Sequence, residues 1–253
     1  MRTLEITTYI PCVNSCKFCP QDKLIQHYTG KPRLTYDEFI MILNKIPLDV
    51  RIDFSAFSEP FGNYESSAMM AESFRRGYKV TLFTTLVGFK ESDLQKIKDI
   101  KFNLCILHPP DDFNFITNEK KWIEAYRMFS AHIHIDHIYY HLGNLSEAVA
   151  EAMPDAQKTS ILNRANNVSR FIAPHSKRKA GHVICPMTSE FNQNIMLPNG
   201  DVYLCCMDWS LQHRLGNLFK SDYESLFESE EYKKIVQGAA DESIDLLCRW
   251  CVR

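Results

Sequence analysis

No stretch of this 253-residue sequence stays apolar long enough to span a bilayer. Neither sign of charge dominates, since 29 Lys and Arg against 31 Asp and Glu leave a net charge of −2. The first absence excludes a membrane-spanning helix, and the second a global basic footprint for nucleic acid. Internal repeats and low-complexity tracts are also missing. Met1-Arg2-Thr3 runs straight into a strand pattern and leaves no room for a signal peptide. The expected location is therefore cytoplasmic, with neither a membrane nor a nucleic acid as partner. The chain is long enough for one large domain, or for a barrel with a small appendage. What is plentiful is cysteine. Nine cysteines in a chain of this kind point to metal or redox use rather than to a disulfide framework.

Three of them, Cys12, Cys16 and Cys19, are spaced with three and then two residues between them. They follow the alternating segment Leu4-Glu5-Ile6-Thr7-Thr8-Tyr9, which reads as a β-strand. Thiolates gathered this tightly on a loop after a strand are ligands. A closed cubane iron–sulfur cluster takes four cysteines, so three leave one iron open for a non-protein ligand. A zinc site needs a fourth ligand in the same way, and the loop by itself leaves both metals open. Five more lie in the last third: Cys185, Cys205, Cys206, Cys248 and Cys251. They suffice for one closed four-cysteine centre, for which an iron–sulfur cluster and a zinc ribbon fit equally. Adjacent strand residues point to opposite faces, so Cys205 and Cys206 are not expected on the same metal, and Cys206 is expected to line the space between two domains. Cys105, alone in a strand pattern, reads as a buried inert thiol.

The rest of the chain alternates strand and helix. Strands are expected at residues 50–57, 79–85, 102–108 and 131–139, and helices at 35–43, 66–76, 91–100 and 120–129. Thr35 and Glu38 form a capping box at the first of these helices. Such alternation implies parallel strands joined by right-handed crossovers. One parity of several strands is aliphatic, while the other carries Glu5 and Thr7, Arg51, Asp53 and Ser55, Thr81 and Thr85, or His132, His134 and Asp136. A filled barrel would hold bulky aliphatics inside, so the polar parity implies an incomplete barrel around a polar ligand. A short helix is expected at 146–153, and a sixth strand after Asn163-Arg164-Ala165-Asn166-Asn167. Residues 175–182 read as a solvated basic linker. A hairpin with an Asn199-Gly200 turn joins 193–197 to 202–206, and a helix spans 222–236. The expected fold is α/β: a partial (β/α)6 barrel over 1–180 and a small hairpin-plus-helix cluster-binding domain over 181–253.

The loop Cys12-x3-Cys16-x2-Cys19, with Phe18 before the last cysteine, at the end of the first strand of a β/α barrel, resembles the radical S-adenosylmethionine (radical SAM) family. Ser58-Glu59-Pro60 is similar to that family's Gly-Gly-Glu-Pro element with both glycines replaced, and Thr84-Thr85 stands where a Thr-Asn-Gly stretch is common. Asn199-Gly200-Asp201, Leu215-Gly216-Asn217 and Cys248-x2-Cys251 resemble the truncated SPASM, or twitch, extension. The resemblance implies two 4Fe-4S clusters, one on Cys12, Cys16 and Cys19 that binds SAM, and an auxiliary one on Cys185, Cys205, Cys248 and Cys251. It implies that Phe18 borders the adenine, that Ser58, Glu59 and Pro60 hold the amino group, and that Thr84 and Thr85 belong to the cofactor site.

Among twitch relatives, an aminocyclitol dehydrogenase shares an Asn-Arg-small element, here Asn163-Arg164-Ala165. By that similarity Arg164 is a candidate for contact with substrate or with the SAM carboxylate, and His108 and Asp208 are candidates to take an alcohol proton. The implied activity is oxidation of a sugar-like alcohol, with flavodoxin or ferredoxin as electron donor. Cross-linking or epimerisation of a ribosomal peptide is the alternative within the enzymes, and a zinc-stabilised binding protein the alternative outside them.

Overall fold

The alternating N-terminal segment becomes the hub of the sheet in a computed structural model that describes residues 1–114 and 118–252. Strand β1 (Thr3–Ile6) is followed by α1 (Gln21–His27), α2 (Tyr36–Leu43) and β2 (Arg51–Phe54). Next come α3 (Ser66–Arg75), β3 (Val80–Thr84), α4 (Glu91–Ile97), β4 (Leu104–Leu107), α5 (Glu119–Ser130) and β5 (His137–His141). The barrel half ends with α6 (Glu147–Ala152) and β6 (Gln157–Thr159), and the C-terminal part adds β7 (Gln193–Met196), β8 (Asp201–Tyr203), β9 (Arg214–Asn217) and α7 (Glu230–Ala240). The strand order is β6-β5-β4-β3-β2-β1-β7-β8-β9. Strands β1 to β6 pair in parallel with their sequence neighbours, as the βαβ alternation requires, and β1 and β6 sit apart in the order, so the barrel is open.

The expected local signals act where they were read. Thr35 accepts the Glu38 N–H, and the Glu38 carboxylate accepts the Thr35 N–H at 3.0 Å. The aliphatic parity of the strands packs under the helices: Ile52, Phe54, Val80 and Leu82 share one buried cluster with Phe39 and Ile42 of α2, Met69 of α3 and Leu94 of α4. The opposite parity is polar and still buried, with Glu5, Asp53, Ser55 and Thr81 all nearly sealed from solvent. Burial of such groups is tolerated when each finds a partner. Arg51 meets Asp53 through two hydrogen bonds of 2.6 Å, while Ser55 and Gln193 donate to Glu5 at 3.1 and 3.2 Å.

The C-terminal segment continues the same sheet. Strand β7 pairs in parallel with β1, Thr3 opposite Gln193 and Ile6 opposite Met196, and β8 returns antiparallel to it. Val202, Leu215, Tyr223 and Ile235 belong to the same buried cluster as Leu4 and Phe54. Among the described residues, no helix is long and apolar enough to cross a membrane.

Four expectations need correction. The fifth strand begins at His137, not at residue 131: Ala131 caps α5, the His132 and Ile133 N–H groups turn back onto Phe129, and ladder pairing with β4 starts only at Ile106 opposite His137. His132, His134 and Asp136 therefore do not line the inner face of a strand. The sixth strand precedes the Asn163–Asn167 stretch rather than following it. The helix expected at 222–236 is a short 3₁₀ turn, Glu224–Glu228, followed by α7, because Ser229 takes extended backbone and caps α7 through the Tyr232 N–H. Strand β9 was not anticipated.

The hairpin turn yields a stability prediction. Gly200 has φ of +79°, and a Cβ there would stand 2.5 Å from a ring carbon of Phe219. Gly200→Ala is expected to cost about 1–2 kcal/mol in urea denaturation, and an unchanged midpoint would contradict this reading of the turn.

Candidate metal and cofactor centres

The parallel register brings the ends of β1 to β6 to one end of the sheet, where the loops that follow them meet. The loop after β1 carries Cys12, Cys16 and Cys19, each partly buried. It is tied to its neighbours through backbone and amide groups. Asn14 donates to the Thr85 hydroxyl at 2.9 Å, the Glu59 N–H points at the Cys12 sulfur at 3.2 Å, and the Cys16 sulfur lies 3.1 Å from the Asn114 side chain. Burial raises the pKa of Cys12 to about 11, with Asn14 and Glu59 N–H groups pulling it back. Cys16 is raised further, by burial and then by the neighbouring Cys19 and Cys12. Cys19 and Cys12 thus raise Cys16, while the Arg164 charge opposes the effect of burial at Cys19. The positively charged core of an iron–sulfur centre would stabilise thiolates at such a place.

Glu59 does not point into the cleft. Its carboxylate accepts the Thr84 hydroxyl at 2.6 Å, the Thr85 N–H at 2.6 Å, the Thr85 hydroxyl at 2.7 Å and the Phe61 N–H at 3.2 Å. Burial pushes its pKa up, and those donors oppose the shift. The Glu59–Thr84–Thr85 group thus locks the end of β3 to the loop after β2, and the two threonine hydroxyls are spent on it. Pro60 starts a 3₁₀ turn and is buried. The Ser58 hydroxyl is buried and, among the described residues, has no hydrogen-bond partner. A buried polar atom of this sort fits a bound ligand at the expected amino-group position.

Near this loop stand His108 just past β4, His141 at the end of β5, and Arg164 in the chain beyond β6. Phe18 meets the His141 ring edge-on at 5.0 Å between centroids, and His141 stacks on His108 at 5.2 Å. The Arg164 charge acts on His108, on His141 and on Cys19. His108, Arg164 and the three-cysteine loop, all expected from the sequence, are therefore brought together. Burial, then His141 and Arg164, hold the His108 pKa down at about 4, against the pull of the Tyr139 carbonyl. Its Nδ1 lies 3.0 Å from that carbonyl, which can only accept, so Nδ1 carries the proton and Nε2 keeps its lone pair. Burial lowers the His141 pKa as well, and its Nδ1 is sealed and unpaired among the described residues.

Asp208 is not at the cleft. It is fully buried, and its carboxylate accepts the N–H groups of Gln212 and His213 at 2.9 and 2.8 Å. Its work is to close the turn after β8. The auxiliary cysteines do converge. Cys185, Cys205, Cys248 and Cys251 line one largely apolar cavity with Cys206. Burial raises Cys205 and Cys248, and the neighbouring thiols add to it: Cys206 and Cys248 for Cys205, Cys185 and Cys251 for Cys248. Cys206 also hydrogen-bonds Glu5 of β1. Cys105 is buried. No three His, Cys, Asp or Glu side chains among the described residues form a ready cage for a single metal ion.

Sequence reasoning missed His141, Asn114, Gln21 and Trp209. None has a local signature, because each acts through a partner distant in the chain: Gln21 donates to the Phe57 carbonyl, and Trp209 lies under the Arg164 guanidinium at 5.0 Å.

Comparison with known proteins bears on both centres. Residues 185–252 match the SPASM model, an iron-sulfur cluster-binding domain. Comparison with curated proteins gave no match. The fold is similar to that of BtrN in complex with AdoMet and 2-DOIA, with a TM-score of 0.66 at 12% identity over 100% of this chain and 93% of BtrN. It is also similar to Streptococcus suis SuiB (TM-score 0.58, 13% identity, 93% of this chain and 67% of SuiB). A third likeness is to anSMEcpe with bound AdoMet (TM-score 0.57, 13% identity, 98% of this chain and 87% of that one). The resemblance carried by the three-cysteine loop is thus met by the fold of AdoMet-bound proteins and by an iron–sulfur domain in the expected segment.

The His108 environment makes a pH prediction. The ring takes its proton near pH 6.5 when unfolded and near pH 4 when folded. The unfolded chain thus binds more protons in this window, and stability falls as pH drops through it, by on the order of 3 kcal/mol from this group. Denaturant titrations at pH 7 and pH 4.5 should show a smaller acid-side loss in His108→Gln than in the wild type; equal losses would contradict the assignment.

Proposed function

We propose, from an iron–sulfur domain joined to an open barrel shared with AdoMet-bound proteins, that this chain is a radical SAM oxidoreductase that dehydrogenates a small sugar-like or aminocyclitol alcohol. The observation that carries the reading is that Phe18 of the three-cysteine loop meets His141, His141 stacks on His108, and the Arg164 charge reaches His108, His141 and Cys19. We read residues 1–180 as the barrel unit and 181–253 as the auxiliary unit.

Cys12, Cys16 and Cys19 would hold a 4Fe-4S cluster, which together with SAM would supply radical chemistry for hydrogen-atom abstraction. Cys185, Cys205, Cys248 and Cys251 would hold a second 4Fe-4S cluster, which would supply an electron acceptor. The chain's own residues provide the rest. Phe18 offers an apolar face for the adenine, and the unpaired Ser58 hydroxyl with the backbone of Glu59 and Pro60 receives the polar methionine end. Glu59, through Thr84 and Thr85, fixes that backbone rather than touching the ligand. Arg164 supplies a positive charge near Cys19, for a carboxylate or a substrate oxygen. His108, with its tautomer set by Tyr139, presents Nε2 to accept the proton of the oxidised alcohol. Loss of a hydrogen atom from the carbinol carbon makes the adjacent O–H far more acidic, so a weak base suffices.

The small-molecule reading is supported by likeness over 93% of BtrN, solved with 2-DOIA. The second reading, modification of a peptide, is supported by likeness to SuiB, which has been solved bound to its precursor peptide SuiA. An external one-electron donor such as flavodoxin or ferredoxin completes either cycle.

Cysteine variants test the assignment. Cys16→Ala should abolish formation of 5′-deoxyadenosine yet keep the C-terminal iron; continued formation would contradict it. Cys251→Ala should remove roughly half of the iron and stop net oxidation while SAM cleavage persists in part. Deuterium moving from a labelled aminocyclitol into 5′-deoxyadenosine supports the alcohol reading, and its transfer only from a peptide supports the second.

A further inference from the structure

Arg164 belongs to a strap, residues 163–167, in which three consecutive non-glycine residues are left-handed: Arg164, Ala165 and Asn166 have φ of 48, 52 and 65°. Such a run persists only where its surroundings over-determine it. Here the surroundings come from the two loops that carry the auxiliary cysteines. Asn167 donates to the Arg164 carbonyl and to the Met207 carbonyl, both at 2.9 Å, and accepts the Ser210 hydroxyl at 2.9 Å. Ala165 packs with Met207 and Leu247, in a cluster that also takes in Cys205 and Cys251. Asn166 accepts the Ser176 N–H at 2.8 Å, and the Ser176 hydroxyl donates to the Trp250 carbonyl.

The side chain is held from the same direction. The Arg164 guanidinium lies over the Trp209 ring at 5.0 Å. Trp209 is itself 1% exposed and braced against Phe57 at 4.2 Å between centroids. The loop from Cys205 to Ser210 thus fixes Arg164 twice, through its backbone by Asn167 and through its charge by Trp209.

We propose that Trp209 and Asn167 are positioning residues for Arg164, and that they make the place of the guanidinium in the barrel cleft depend on closure of the C-terminal cysteine centre. The inference rests on the functional reading only in taking Arg164 to face a ligand. The auxiliary centre then has a structural duty besides electron transfer: without it the strap relaxes, and the cleft loses its cation. An indole that merely filled the apolar cluster around Phe57 would leave Arg164 unaffected by the state of the cysteines.

The test reads Arg164 itself and needs no turnover. Full-length protein, purified anaerobically with its metal, is treated with phenylglyoxal, and modification of Arg164 is followed by mass spectrometry beside amide exchange over residues 163–168. In Trp209→Leu the modification rate should rise roughly fivefold, the loss expected from removing one cation–π contact. Trp209→Phe, which keeps an aromatic face, should stay within about twofold of the wild type. Cys251→Ala, with Trp209 intact, should speed both Arg164 modification and exchange of the strap amides. Wild-type rates at Arg164 in Trp209→Leu, equal rates in the Phe and Leu variants, or an unaltered strap in Cys251→Ala would each overturn the proposal. If Trp209→Leu fails to fold, the Phe and Cys251 arms still decide. These readouts hold whatever the reaction is, so failure of the functional reading is seen separately, as absent 5′-deoxyadenosine.

Discussion

Strand β1 is hydrogen-bonded in parallel on both sides, to β2 and to β7, and the rest of the architecture depends on that double pairing. Ile6 stands opposite Phe54 on one side and Met196 on the other. The segments leaving these strands therefore start level with one another. One leads into the three-cysteine loop, one into Ser58-Glu59-Pro60, and one into the hairpin that returns through Cys205. In parallel sheets, ligands collect where strand ends converge. Here the convergence places the N-terminal cysteine loop beside elements drawn from nearly the whole chain, and sets the C-terminal domain on the same sheet and core instead of on a tether.

Electrostatics give the site its character. Burial, with neighbouring thiols adding to it, raises the pKa values of Cys12 and Cys16 in one group and of Cys205 and Cys248 in the other. Nearby, burial and the Arg164 cation lower the pKa values of His108 and His141. A Ser58 hydroxyl and a His141 ring nitrogen remain buried and unpaired among the described residues. Carboxylates, by contrast, are neutralised or spent: Asp53 on Arg51, Glu59 on Thr84 and Thr85, Asp208 on a turn. What remains around Phe18, among the described residues, is the Arg164 charge and the stacked His141 and His108 rings.

What could be read from the sequence was whatever is specified locally. The Thr35–Glu38 box and the Asn199-Gly200 turn are each fixed within a few residues, and each is found as expected. The polar parity of Glu5, Asp53, Ser55 and Thr81 was legible because strand alternation is strict. Errors arose where alternation continued without pairing. Residues 131–136 alternate like a strand, but the turn onto Phe129 and the register of β4 delay β5 until His137. Asp208 lay near the cluster hairpin in sequence, yet the fold needs its carboxylate for the Gln212 and His213 amides. Roles that depend on distant partners, such as His141 against Phe18 or Trp209 under Arg164, leave no local trace.

The central claim is that two cysteine groups hold two iron–sulfur centres, one of them open to SAM. Metal analysis with electron paramagnetic resonance of anaerobically purified, reduced protein tests it most directly. The account predicts about eight irons per chain, two distinguishable reduced signals, and a change on adding SAM in one of them alone. Stoichiometric zinc without iron, or two signals that both ignore SAM, would contradict it.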